Sequence, residues 1–99
     1  MAVKVFIKRR FKSGNTPKIT RFIRKARFEA MGFGGYVSSE TLSDYHDPNR
    51  VTVISTWRTL EDWEAWKKSP ERTSNESKLA SILAAEPEYE IYNLGIAEP

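Results

Sequence analysis

The sequence predicts an α+β domain in which one antiparallel sheet carries its helices on a single face. Three observations lead there. Period-two alternation of apolar residues recurs in four separate stretches. Helical spacing fills the interval after the first of them and the interval before the last. The order strand, helix, strand, strand, helix, strand then closes naturally as a βαββαβ sandwich, the ferredoxin-like arrangement.

Each element has its own justification. Val3 to Phe11 alternates, with Val3, Val5 and Ile7 on one face and Lys4, Phe6 and Lys8 on the other. Ser13-Gly14-Asn15 is a loop. Thr16-Pro17 reads as a helix start, a capping hydroxyl followed by proline at the first helical position. Ile19, Phe22, Ile23, Ala26 and Ala30 follow at helical spacing, so the first helix covers residues 17–31, with Gly32 as its left-handed stop. Gly34-Gly35 links it to a second strand, Tyr36 to Tyr45. Asp47-Pro48-Asn49 is a turn, with Asn tolerating a positive torsion. Val51 to Arg58 is the third strand, antiparallel to the second.

Thr59 caps a second helix, with Glu61 and Asp62 favourably placed in its first turn. Ser69-Pro70 repeats the cap-then-proline pattern, so this helix breaks and another begins. The polar run 73–78 leaves its own order open. Leu79, Ile82 and Leu83 supply a later apolar face. Glu86-Pro87 ends it, Glu88 to Leu94 is the last strand, and Ile96 to Pro99 is a tail.

Ninety-nine residues make one domain, residues 1–99, with 39% hydrophobic content to build a core. The absence of cysteine excludes disulfides and thiolate chemistry and fits a reducing, cytoplasmic setting. No apolar run reaches the ~18 residues of a membrane span, and the N-terminus enters a strand directly, so neither a membrane nor a signal peptide is expected. Ten of the sixteen Lys and Arg fall in residues 1–28, which hold no acid; the rest carry thirteen acids. Such a front suits an anionic partner, but a solvated helix face explains it more simply, and nucleic acid is not the expected partner. Gly32-Phe33-Gly34-Gly35-Tyr36-Val37 has the flavour of an RNA-recognition strand motif, yet it opens the second strand rather than the third and carries an extra glycine.

The strands are apolar on both faces: Val3, Val5 and Ile7 against Phe6; Val51, Val53 and Trp57 against Ile54; Tyr89 and Ile91 against Tyr92 and Leu94. A sheet with one wet face alternates more cleanly. A homodimer through the open sheet face is therefore expected.

With these elements placed, the chain resembles the antibiotic biosynthesis monooxygenase (ABM) domain family. The residues that carry the likeness are Gly35-Tyr36-Val37, Glu40-Thr41, Asp47-Pro48-Asn49-Arg50, Ile54-Ser55-Thr56-Trp57, Glu61-Asp62-Trp63-Glu64-Ala65-Trp66 and Ser69-Pro70-Glu71-Arg72. The resemblance implies a dimeric α/β barrel with a pocket between helices and sheet in each subunit. In quinone-forming members an aromatic substrate meets dioxygen there with no metal, flavin or other bound cofactor. In haem-degrading members the pocket takes haem. Trp66 matches the tryptophan that presses on the haem in that branch, but the ligating histidine falls on Glu76, and the first-strand asparagine is replaced by the Phe6-Ile7-Lys8 segment. A glutamate is a poor substitute for neutral imidazole, so haem degradation is not expected.

The pocket-lining candidates are Trp66, Trp63, Trp57, Phe22 and Phe28, with Met31 beside them. Such rings stack an aromatic ligand equally well as they fill a core. Trp57 and Trp63 read as core and Trp66 as either. His46 is the sole histidine. It reads as a turn residue rather than a base, and one histidine without cysteine makes no soft metal site. The residues name no catalytic group. The expected activity is small-molecule binding, with cofactor-independent monooxygenation of an aromatic or hydrophobic substrate as the reaction and a non-catalytic ligand-binding or stress-related module as the alternative.

Overall fold

The computed structural model describes residues 1–97. Glu98 and Pro99, the end of the expected tail, lie outside the described residues. Strands β1 (Val3–Arg10), β2 (Tyr36–Ser43), β3 (Arg50–Trp57) and β4 (Glu88–Asn93) form one antiparallel sheet in the order β2-β3-β1-β4. Helices α1 (Thr16–Ala30), α2 (Leu60–Lys67) and α3 (Pro70–Leu79) and a short 3-10 turn at Ala80–Ile82 complete the α+β ferredoxin-like fold. The polar run 73–78 is helical, inside α3.

The register explains which residues become core. Val3, Val5, Ile7 and Arg9 of β1 stand opposite Trp57, Ser55, Val53 and Val51 of β3. This row faces the helices, because residues two apart share a sheet face. It builds two adjoining clusters. Val3, Val5 and Ile7 pack with Ala30, Trp57, Trp63 and Trp66; Phe11 and Val51 pack with Ile19 and Leu79. Arg9 lies between them along β1.

The predicted caps at Thr59 and Ser69 are present. Each hydroxyl accepts a hydrogen bond from the backbone N–H three residues on, at 3.1 Å from Asp62 and 3.2 Å from Arg72. The start of α1 differs by one position. Asn15 is the cap residue, and its side-chain amide donates to the Lys12 and Ser13 carbonyls instead of capping the helix. The left-handed stop also moves. Helix α1 ends at Ala30 with a right-handed Met31, and the positive torsion belongs to Gly35 (φ +87°) rather than Gly32. Asn49 does not adopt a positive φ either. The β2-β3 turn is held by Asp44, whose Oδ2 accepts from the His46 and Asp47 backbone N–H groups. That capture ends β2 at Ser43, two residues short of the expected Tyr45.

Opposite the helices, the sheet face is open. Phe6 stands against Ile54 and lies edge-on to Tyr92, with ring centroids 5.4 Å apart. Leu42 and Tyr92 are about half exposed there. No helix is long and apolar enough to cross a membrane among the described residues.

Candidate functional site

Between the helices and the inner sheet face lies a cavity of about 50 Å³. Its apolar wall comes from Ile7, Val53, Trp57, Trp63 and Trp66, with Phe22, Ile23 and Ala26 of α1 above. Its polar wall comes from Arg9, Arg72, Asn75 and Glu76, with Tyr36, Ser39 and Ser55 across the sheet. Arg27 and Thr41 also line it and are exposed, which places the mouth between α1 and the β2 edge. The enclosed volume is far below the 300–1,000 Å³ of a drug-sized site. A larger ligand has to spread the α1 side chains.

Four of the five predicted lining residues, Trp57, Trp63, Trp66 and Phe22, come together on this cavity. The three tryptophans are also core, at 0%, 1% and 4% exposure. The two readings of those rings coincide because the cavity is a gap within the core. Trp57 Nε1 donates to Ser55 Oγ at 3.1 Å, and Trp66 meets Phe33 edge-on at 4.9 Å. Phe28 is a correction: it does not line the cavity and is 79% exposed. At 100° per residue it lies about 200° from both Ala26 and Ala30, on the far side of α1. Met31 is exposed too. His46 is exposed at its turn, with Tyr45 edge-on to it.

The charged wall is the part sequence reasoning missed. Arg9 Nη2 donates to Glu76 Oε1, and Arg72 Nη2 lies 3.3 Å from the same oxygen. Arg72 also donates to the Tyr89 hydroxyl at 2.9 Å and stacks over the Trp63 ring at 5.3 Å. The Arg9 guanidinium lies over the Phe22 ring at 5.1 Å. Asn75 Nδ2 donates to Glu29 Oε1 at 2.8 Å, tying α3 to α1. Both arginines are buried: Arg9 is 6% exposed and Arg72 7%. Burial pushes the Arg9 pKa below its usual value, and the neighbouring Glu76 carboxylate opposes that shift. The signal was in the sequence. Arg9 continues the inward phase of Val3, Val5 and Ile7, and Arg72 and Glu76 are four apart on one helix face.

Glu76, the residue on which the resemblance sets the ligating histidine of the haem-degrading branch, is engaged by two guanidinium groups. That pairing and the small volume do not fit haem. Among the described residues no group of three His, Asp or Glu side chains is placed to hold a metal ion.

A helix-covered antiparallel sheet with a cavity between its two layers defines the class, a small α+β domain of ferredoxin-like topology. The sequence model for antibiotic biosynthesis monooxygenases matches residues 3–74, and the chain belongs to that family. Solved structures agree on the fold. SnoaB, a cofactor-independent oxygenase from Streptomyces nogalater, superposes with a TM-score of 0.84 at 12% identity, over 99% of this chain and 97% of that one. A conserved protein from Methanosarcina mazei gives 0.86 at 17% identity, covering 93% and 91%. A further antibiotic biosynthesis monooxygenase gives 0.85 at 11% identity, covering 95% and 99%. No curated protein matches the chain.

Proposed function

We propose that this protein binds a small aromatic or hydrophobic molecule in the cavity and oxygenates it with dioxygen, without a bound cofactor, in the cytoplasm. The observation that carries this reading is the three-tryptophan wall facing a buried arginine pair inside a chain of the ABM family. Direct reaction with dioxygen asks for an electron-rich, ionised substrate shielded from water. The aromatic wall stacks the ring, and a guanidinium favours the ionised form of a ring hydroxyl. The balanced conversion takes a dihydroxyaromatic and O2 to a hydroxyquinone and water. One oxygen atom joins a ring carbon, and the other leaves with two hydrogens from the substrate.

The test is oxygen uptake with a panel of dihydroxyaromatic compounds, with the quinone followed by its absorbance. Enzyme-dependent uptake with equimolar quinone supports oxygenation. No uptake above the buffer rate with compounds that bind favours a ligand-binding module without turnover. One observation supports that second reading: Glu76, the carboxylate of the cavity wall, is held by two guanidinium groups and is not free to act as a base.

The functional unit in this proposal is a homodimer joined through the open sheet face. The half-exposed Leu42 and Tyr92 side chains, on the same face as Phe6 and Ile54, support it. A domain of this size gains most from burying such a face.

A further inference from the structure

We propose that the cavity selects ligands bearing an anionic oxygen, a carboxylate or a phenolate, which accepts a hydrogen bond from Arg9 Nε. This deepens the reading above and rests on it, since it names the chemical class that the same cavity takes.

Arg9 carries the argument. Its side chain is buried on the sheet side of the cavity, and its Nη2 is committed to Glu76. Its Nε is fully buried with no partner in the protein. A buried donor without an acceptor is uncommon and costs about 1–3 kcal/mol. A charged donor that the protein leaves without an acceptor gains one from a ligand that spreads the α1 side chains, Phe22 over the guanidinium first among them.

The charge balance selects the kind of acceptor. Three cations, Arg9, Arg27 and Arg72, line the cavity against one carboxylate, Glu76. Glu29 stands just behind, accepting from Asn75. Arg72 Nη2 is engaged by Glu76 and Tyr89, and Arg27 is exposed at the mouth. A neutral carbonyl satisfies the Nε–H geometrically. An anionic oxygen also offsets the surplus positive charge in a wall where water does not screen it, and charge-assisted hydrogen bonds are roughly twice as strong as neutral ones. The apolar wall opposite holds the ring or chain that carries the anion.

The experiment is calorimetric titration of the purified full chain with two matched pairs: benzoate against benzamide, and ionised 4-nitrophenolate against 4-nitroanisole. We expect the charged member of at least one pair to bind about tenfold or more tightly than its neutral mate. The favoured pair tells a carboxylate site from a phenolate site. Arg9→Lys keeps the surplus charge but lacks Nε and is expected to narrow that preference to a few-fold or less. Circular dichroism confirms folding. Should Arg9→Lys not fold, the double variant Arg9→Met with Glu76→Gln removes the pair together and takes its place. Arg21→Ala, on the exposed side of α1, is the unchanged control. Equal affinity within both pairs, as a lone water on Nε would give, overturns the inference, and so does a preference undiminished in the Arg9 variants. Those results leave the cavity as a binding site. Failure of all four compounds to bind overturns the cavity reading itself.

Discussion

Arg9 and Glu76 are 67 positions apart in the sequence and form a buried ion pair that joins the central strand β1 to helix α3. With Arg72 on the second side of Glu76, the pair makes one wall of the cavity out of two elements that share no local signal.

Removing the carboxylate leaves two buried guanidinium groups facing each other. Glu76→Ala is expected to destabilise the fold by about 3–5 kcal/mol, the usual penalty for breaking a buried pair from one side. Urea denaturation measures it. Arg9 itself adds no pH dependence near neutrality. Its folded pKa lies below its unfolded value, so its burial penalty is present in full below the folded pKa and lifts only in strong alkali as pH rises through it. A flat wild-type stability contribution from Arg9 across the neutral range is the expected outcome in a comparison with Arg9→Met, Glu76→Gln.

Gly35 is a position where only glycine fits. Its φ is +87°, and a Cβ there would overlap the Asp62 side chain. Gly35→Ala therefore strains the backbone and displaces Asp62, whose carboxylate accepts from the Thr59 hydroxyl. A loss of about 2 kcal/mol is expected. Gly34→Ala has open space and an ordinary φ, so thermal denaturation should show it close to wild type.

Ser69 does two jobs at the α2-α3 corner. Its Oγ donates to the Trp66 carbonyl at 2.7 Å and accepts from the Arg72 backbone N–H at 3.2 Å. Ser69→Ala is expected to cost about 1 kcal/mol. Because Trp66 and Arg72 line the cavity, it should also weaken ligand binding, whereas the equivalent cap loss in Thr59→Ala should lower stability alone. Denaturation and titration of both variants separate the two effects.

The proposed dimer is tested on the open sheet face. Tyr92→Lys puts a charge on the face that Phe6 and Leu42 share, at a position about half exposed in the single chain. Native mass spectrometry should find dimer for the wild type and monomer for the variant, with circular dichroism unchanged. A monomeric wild type would remove the dimer from the proposal.

Local pattern along the sequence was enough for the element order, the strand alternation and two of the three helix starts. Those follow from local rules: period, capping hydroxyls and proline. It also determined that Trp57, Trp63, Trp66 and Phe22 lie inward, because each keeps the phase of its own element. Phe28 was assigned by residue type rather than by phase, and its angle on α1 carries it outside. Whatever depends on pairing between distant residues emerged only on folding. Gly35 rather than Gly32 takes the positive torsion, and Asp62 of α2 leaves no room for a Cβ there. Arg9 read as part of a basic front, since an arginine on an inward row is tolerable only if a carboxylate arrives from elsewhere. Glu76 arrives from a polar run whose helicity depends on the Ser69 cap and on packing of Leu79 with Phe11. Local pattern fixes which way a side chain faces. Only the folded chain brings two distant charges into one low-dielectric wall.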